Sequence, residues 1–575
     1  MARRDSDVTA QCASTAIDRR WWKEAVVYQV YPRSFNDSNG DGIGDIRGVT
    51  EKADYLDALG VDVVWLCPVY DSPNDDNGYD IRDYRSILDE FGTMADWEAL
   101  LSTLHDRDIR LIMDLVVNHT SAEHEWFRRS RRREEGYEDY YYWRDGSPDE
   151  PPNNWDSIFG GPAWTYDDER EQWYLHLFHE TQPDLNWRTP AVREDVKEMV
   201  RWWLEKGIDG FRMDAINFLS KTEGLPDGDP EAFLTGAEHY SHGPRIHEYL
   251  QELHDDVLAD YDAMTAGEMG LTTVEQAASY LEDGGGGLDM VFQFNHMDID
   301  AGEGGSWTGE GWGEWSLTDL KDVMTRCQKE LAEPHWDAVF LGNHDNPRIV
   351  SRFGDDEDYR EESAKLIATF LLTLRGTPYI YQGEEIGMTN DVFTGLDELD
   401  DPMTIGHVED ALASGEIDSF DDVADAVNYR SRDHARTPMQ WTDGENAGFT
   451  DGDPWFRTNA NAADINVAAA RAGEDSVWHH YRRLVELRHD EETLVYGDYE
   501  LLLPEDERVY AYTRTLGDET ILVVLNWSAD ETTFDAQGTV VDTADATMLL
   551  GNYDDAPEDP AGAEFRPYEA VVYRL

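Results

Sequence analysis

Short apolar runs alternating with helical stretches predict an α/β fold on a parallel sheet, enlarged by further domains. Three observations carry this reading. Successive strand and helix segments follow one another with short connections, the pattern of a parallel sheet. The apolar runs end in polar, chemistry-bearing residues: Leu111-Ile-Met113 before Asp114-Leu-Val-Val-Asn-His119, Gly207-Ile-Asp-Gly-Phe211 leading into Arg212-Met-Asp214, Ala266-Gly-Glu268, and Ala338-Val-Phe-Leu341 before Asn343-His-Asp345. Buried strands that deliver polar side chains to one rim are how a parallel barrel builds an active site. At 575 residues the chain also exceeds one ordinary domain, so several domains or a large barrel with additions are expected.

The elements follow in order. Residues 1–20 read as a mobile polar leader. Ala25-Val-Val-Tyr-Gln-Val-Tyr31 is strand-like, followed by a helical stretch from Val49 to Leu59, the strand Gly60-Val-Asp-Val-Val-Trp-Leu66, a helix from Met94 to Asp106 and the strand Ile109 to Asp114. The first part of the barrel-like pattern spans 21–120. Over 121–179 the alternation stops and Tyr, Trp, Arg, Pro and Asn dominate, as in Tyr140-Tyr-Tyr-Trp143, which marks an inserted domain. The pattern resumes over 180–494 with the amphipathic helix Ala191 to Lys206, a strand over Gly207 to Phe211, Met264 to Glu268, and Thr377 to Gln382. Over 495–575 strands such as Val509-Tyr-Ala-Tyr-Thr513 and Thr520-Ile-Leu-Val-Val-Leu525 alternate without helices, predicting an antiparallel C-terminal domain.

Charge narrows the setting. Asp and Glu number 122 against 47 Lys and Arg, a net charge of −75, and only eight residues are lysine, so nearly all positive charge is arginine. In dilute solution such self-repulsion weakens the compact state, whereas molar salt shortens the Debye length to about 3 Å and removes most of it. A high-salt solvent is therefore expected. The 20 Trp and 40% hydrophobic residues argue against disorder as the cause. The same charge argues against nucleic acid as a partner. Cys12, Cys67 and Cys327 are too few and too scattered for a disulfide framework or a zinc site. No apolar stretch of signal-peptide length follows the N-terminal arginines and no run is long enough to span a bilayer, so a cytoplasmic protein without a membrane partner is expected.

Asp37-Ser-Asn-Gly-Asp-Gly-Ile-Gly-Asp45 places oxygens at the first, third, fifth and ninth positions with Gly42 at the sixth, the front half of a calcium loop. Gly48 stands where a helix-loop-helix sensor has its bidentate Glu, which excludes that class.

Tyr28-Gln-Val-Tyr-Pro-Arg-Ser-Phe35, Pro73-Asn-Asp-Asp-Asn-Gly-Tyr-Asp80, Gln182-Pro-Asp-Leu-Asn186, Tyr381-Gln-Gly-Glu-Glu-Ile-Gly-Met388 and Arg432-Asp-His-Ala-Arg-Thr-Pro-Met-Gln-Trp441 resemble glycoside hydrolase family 13, the α-amylase family, in its oligo-1,6-glucosidase and α-glucosidase branch. The resemblance runs from about Trp22 to Leu575. It implies a (β/α)8 TIM barrel, a small domain inserted after the third strand and a C-terminal β-sandwich. It also implies a small-molecule α-glucoside as substrate, and a structural Ca or Mg ion on Asp37, Asn39, Asp41, the Ile43 carbonyl and Asp45.

Retaining hydrolysis needs two carboxylates about 5 to 5.5 Å apart. The resemblance assigns Asp214 as nucleophile, Glu268 as general acid/base and Asp345 as transition-state stabiliser. Arg212, two residues before Asp214 on one strand, shares its face and is expected to hold it ionised. Burial and the charge of Asp345 are expected to keep Glu268 protonated. His119 and His344 match residues that bond the same glucose unit. Asp80 and Arg432 match a pair closing the inner end of the pocket, which implies an exo-acting enzyme, and Tyr79-Asp-Ile-Arg-Asp-Tyr84, Phe159 and Phe178 match its wall. Ala215 follows the nucleophile; in this branch Val there goes with α-1,6 preference and Ala or Thr with α-1,4. A maltose-type substrate is expected, with isomaltose hydrolysis or sucrose hydrolysis and isomerisation as alternatives and transglycosylation left open. Catalytically dead, transporter-associated relatives need a membrane anchor and tend to lose the carboxylates, whereas all three are kept here.

Overall fold

The computed structural model describes residues 17–282, 287–301, 313–535 and 541–575. Most of the expected leader, and Cys12, lie outside the described residues. Eight parallel strands form the central sheet: β1 (Val27–Val30), β2 (Val63–Leu66), β3 (Arg110–Val116), β4 (Gly210–Asp214), β5 (Met264–Met269), β6 (Met290–Gln293), β7 (Ala338–Val339) and β8 (Thr377–Tyr381). Pairing runs from β1 through β2, β3, β4 and β5 to β6, and from β1 the other way through β8 to β7. A parallel bridge between Val291 of β6 and Asp337, just before β7, joins the two ends and closes the barrel. The fold is the TIM barrel that the alternation pattern and the resemblance implied.

The register explains the rim. Asp114 of β3 pairs with Arg212 of β4, Val116 pairs with Asp214, and Ala266 of β5 pairs with Arg212. Glu268 is two residues beyond Ala266, as Asp214 is two beyond Arg212, so side-chain alternation brings both carboxylates to one level above the guanidinium. Gly210 allows this approach, because a Cβ there would lie 2.1 Å from the Met264 carbonyl oxygen.

Two expectations about strands are corrected. Gly207 does not start β4; at φ 101° it is the left-handed cap of the helix Pro190–Lys206, and the strand begins at Gly210. The sixth strand, Met290-Val-Phe-Gln293, four buried residues, was not foreseen from sequence.

After β3 the chain leaves the barrel and forms an antiparallel sheet in which Gln172–Leu175 lies between Trp143–Arg144 and Trp164–Asp167. An antiparallel bridge from His119 to Asp184 ties this excursion to the barrel rim. The C-terminal region is a five-stranded antiparallel sheet (Asp498–Leu502, Val509–Leu516, Glu519–Asn526, Ala570–Arg574, Thr547–Gly551), with Thr532–Thr533 paired to Glu564–Phe565 beside it. Leu522, Val524, Phe534, Phe565 and Val571 fill the space within it. The opposite face docks on the barrel, where Phe370 of the helix Arg360–Thr373 meets Tyr510 at 5.0 Å and Trp527 at 5.3 Å. Among the described residues no helix is long and apolar enough to cross a membrane.

Candidate active site

Arg212 organises the rim. It is 2% exposed, its Nη1 donates to Asp114 at 2.7 Å and to Asp214 at 2.6 Å, and its Nη2 donates to Glu268. The guanidinium lies over the Trp65 ring at 5.1 Å. Asp114, fully buried, also accepts from Trp65 Nε1 at 2.7 Å, so it fixes the arginine from below. The main-chain N–H of Ala215 donates to Glu268 Oε2 at 2.9 Å.

Burial dominates the electrostatics here. It pushes Asp214 up to about 7 against the pull of Arg212. Arg212 pulls Asp214 toward the ionised form, as expected of it, and burial of the carboxylate opposes that pull. Glu268 is also pushed up to about 7, by burial first, with Asp214 and then Asp345 adding to it against Arg212. Burial would raise Asp345 too, but His344, Arg432 and Arg436 hold it well below the usual carboxylate range. His344 Nε2 lies 3.1 Å from Asp345 Oδ2, and Arg432 and Arg436 each reach Asp345 Oδ1 at 3.1 Å. The Gln29 side-chain amide donates to His344 Nδ1 at 2.8 Å, and burial lowers this imidazole to about 3, so it is neutral with its proton on Nε2.

Two contiguous cavities open above these groups. The inner one, about 90 Å³, is lined by Asp76, Tyr79, His119, Asp214, Glu268 and Arg432, with Asp345 and the Phe159 and Phe178 rings completing it. The outer one, about 540 Å³, shares Glu268, Asp345, Arg432, Phe159 and Phe178 with it. Asp214 therefore faces only the inner chamber, whereas Glu268 stands at the junction. A further cavity of about 570 Å³ lies at the opposite end of the barrel, among Ala25, Asp62, Ile109 and Asp209, residues that precede the strands and carry none of this constellation.

Several expected site residues take other places. Arg432 does not meet Asp80. Its Nε and Nη2 donate to Asp401 at 2.8 and 2.6 Å, and its Nη2 lies 3.8 Å from Asp76. Asp80 instead accepts from Ser72 Oγ at 2.8 Å and from the N–H groups of Asp75 and Asp76 at 3.0 and 3.2 Å, which uses its carboxylate to hold the loop. Tyr84 is not in the wall either; its hydroxyl donates to the Val116 carbonyl at 2.7 Å, below the rim. Tyr79, at the start of the same expected segment, does line the inner chamber and stacks on His344 at 5.2 Å. Arg212, His344 and Ala215 lie behind the cavity walls, and Ala215 packs in a cluster with Phe218 and Phe178. His119 and Phe178 line the inner chamber as expected, 4.9 Å apart. Asp76, Asp114 and Arg436 were overlooked although each stands in a segment quoted for its motif, and Asp401 had only its place before Pro402 as a signal.

In the Asp37–Asp45 loop, Asp37 accepts from the N–H groups of Asn39, Gly40 and Gly42 at 2.8 Å, Asn39 from Asp41 at 2.9 Å and Asp41 from Ile43 at 3.0 Å. Asp45 caps the next helix through the Gly48 N–H at 2.7 Å. Gly48 is required by close packing, since a Cβ there would lie 1.8 Å from the Asn36 carbonyl oxygen. The donors are hard oxygens of the kind Ca²⁺ or Mg²⁺ takes. They are engaged by the loop's own N–H groups, and among the described residues no three His, Cys, Asp or Glu side chains are gathered for a metal ion.

Known proteins match this chain over nearly all of its length. The family pattern described as Alpha amylase, catalytic domain, covers residues 29–497, and that of the Maltogenic Amylase, C-terminal domain, covers 499–572. The oligo-1,6-glucosidase of Parageobacillus thermoglucosidasius is 52% identical over 97% of this chain and 100% of its own. An α-glucosidase of Pediococcus pentosaceus is 47% identical over 97% and 99%. The crystal structure of isomaltulose synthase from Klebsiella sp. LX3 superposes with a TM-score of 0.92 at 44% identity, covering 97% of this chain and 100% of that one.

Proposed function

The chain belongs to the α-amylase family of glycoside hydrolases as an α-glucosidase-type enzyme, and on that premise we propose that it removes single glucose units, with retention of configuration, from short α-glucosides, α-1,6-linked substrates first. The observation that carries the roles is the division of the cleft. Asp214 faces only the small inner chamber, and Glu268 sits where that chamber meets the mouth. Glucose bound inside presents its anomeric carbon to Asp214 and its glycosidic oxygen to Glu268.

The steps follow from the charges. One proton is held between two carboxyls bridged by Arg212, and it belongs on Glu268, the group beside the departing oxygen. Glu268 protonates that oxygen as Asp214 attacks the anomeric carbon. Water then enters from the mouth, gives its proton to the Glu268 carboxylate and releases glucose from Asp214. Asp345, kept ionised by Arg432, Arg436 and His344, offers a fixed negative charge to the sugar as positive charge develops on it. The inner chamber, small and bounded by Asp76 and Arg432, supports attack on a terminal residue. A Ca²⁺ or Mg²⁺ ion on Asp37, Asn39, Asp41, the Ile43 carbonyl and Asp45 would brace the loop after β1 and takes no part in these steps.

The α-1,6 preference is supported by the oligo-1,6-glucosidase relatives. Ala215 favours a second reading, α-1,4 cleavage, by leaving room beside Phe178 and Phe218 where a larger residue would push on the leaving-group side. A methyl-scale difference is worth about 1 to 3 kcal/mol of discrimination. Chromatography of products from isomaltose, maltose, sucrose and trehalose tests this: isomaltose is expected to be hydrolysed fastest, and a clear lead for maltose would transfer the assignment to the second reading.

A further inference from the structure

Glu268 stands at the junction of the two cavities, so the oxygen it protonates departs into the 540 Å³ mouth, and the walls of that mouth meet the leaving group. Part of its lining is apolar. Phe233 and Leu271 there are 65% and 46% exposed, and Phe294 is a further lining residue. Leu271, three residues past Glu268, has φ 54°, a left-handed conformation that is costly for a branched side chain. Exposed apolar side chains, one held in such a backbone conformation, mark a contact surface for something with an apolar face.

The lining also includes polar residues, among them Asp298, Asn346, His407 and Arg430. Arg430 differs from the other arginines around it. Arg352 is committed to Asp300, with bonds of 2.8 and 2.6 Å, and the Tyr429 hydroxyl donates to the same carboxylate at 2.9 Å. Arg430 Nη1, by contrast, is buried with no hydrogen-bond partner. Arg430 also lines the mouth, and among the described residues no carboxylate pairs with it as Asp300 pairs with Arg352, so its guanidinium is available to an incoming acceptor.

We propose that Arg430 is the specificity-determining donor for the leaving group, bonding hydroxyl oxygens of a neutral sugar whose apolar face rests on Phe233 and Leu271. A neutral sugar is the fitting class because its hydroxyls accept from Arg430 and donate to Asp298 at once, whereas a phosphorylated one would meet the carboxylates of Asp156, Asp298 and Asp345 in the same mouth. The proposal rests on the glucosidase reading above.

The test compares kcat/KM for the better of isomaltose and maltose with that for phenyl α-glucoside, whose leaving group carries no hydroxyl acceptor. Arg430→Met is expected to lower the disaccharide value about 10-fold or more beyond its effect on the phenyl glucoside, chiefly through KM, and Arg430→Lys to recover part of the loss. Equal losses on both substrates, or a greater loss on the phenyl glucoside, would overturn the proposal and leave the glucosidase reading standing. Faster wild-type cleavage of a disaccharide phosphorylated on the leaving sugar would also overturn it. A wild type that hydrolyses none of these substrates overturns both.

Discussion

Arg212 touches Asp114, Asp214 and Glu268 at once, and this sharing sets the pH behaviour of the site. With Asp214 and Glu268 both pushed up to about 7, the active form holds one proton between them, so kcat/KM should trace a bell near neutral pH. Asp345 is one of the charges raising Glu268; Asp345→Asn should therefore shift the alkaline limb of the residual activity to lower pH, and a limb that stays or rises contradicts the assignment. The same shift bears on stability. A carboxyl raised on folding contributes stability in full below its ordinary value, 4.5 for Glu268, and loses it as pH climbs through about 7. Glu268→Gln should thus melt above the wild type at pH 8 by roughly one to three degrees, with the gap closing toward pH 4.5, as calorimetry would show. The catalytic acids were legible because each follows a short apolar run and stands in a segment that the resemblance covers. Asp76 and Asp80 were not separable, since both stand in one motif and their directions depend on left-handed backbone at Asn74, Asn77 and Gly78 between and beside them.

At the scale of elements, loops carry what strands cannot predict. The turn 72–80 is pinned by Asp80 and aims Asp76 at Arg432, so the two residues should fail differently. Asp76→Asn is expected to raise KM several-fold with little change in melting temperature. Asp80→Ala should instead lower stability by about 1 to 3 kcal/mol, because it strands the buried N–H groups of Asp75 and Asp76. Parallel changes in KM and stability for both would refute the division. In the Asp37–Asp45 loop, a bound Ca²⁺ or Mg²⁺ ion would stabilise the native state by mass action. Chelation with EDTA is expected to lower the melting temperature and added Ca²⁺ to restore it; a melting curve indifferent to both argues against the ion. The alternation of strand and helix was readable for seven of the barrel strands, each with an apolar run of useful length. β6 was not read although it is as long and as buried as β1 and β2, and β4 was misplaced by three residues because Gly207-Ile-Asp209 serves as a helix cap and turn.

For the whole molecule the net charge of −75 is the largest unscreened force. Molar salt shortens the Debye length to about 3 Å, so melting temperature and activity should rise steeply with salt and fall away in dilute buffer. An unchanged melting temperature at low ionic strength would contradict the high-salt reading. Architecture was legible at this scale because domain changes alter composition: the Tyr- and Trp-rich excursion after β3 and the helix-free strands of the C-terminal region each break the barrel pattern. Substrate linkage was not, since it turns on the shape of a mouth built from many segments far apart in the sequence. The central claim is that Asp214 and Glu268 act as a retaining pair across the junction of two chambers. Proton NMR of the glucose first released from an α-glucoside, read before the anomers equilibrate, tests it most directly: the account predicts α-glucose, and β-glucose would contradict it.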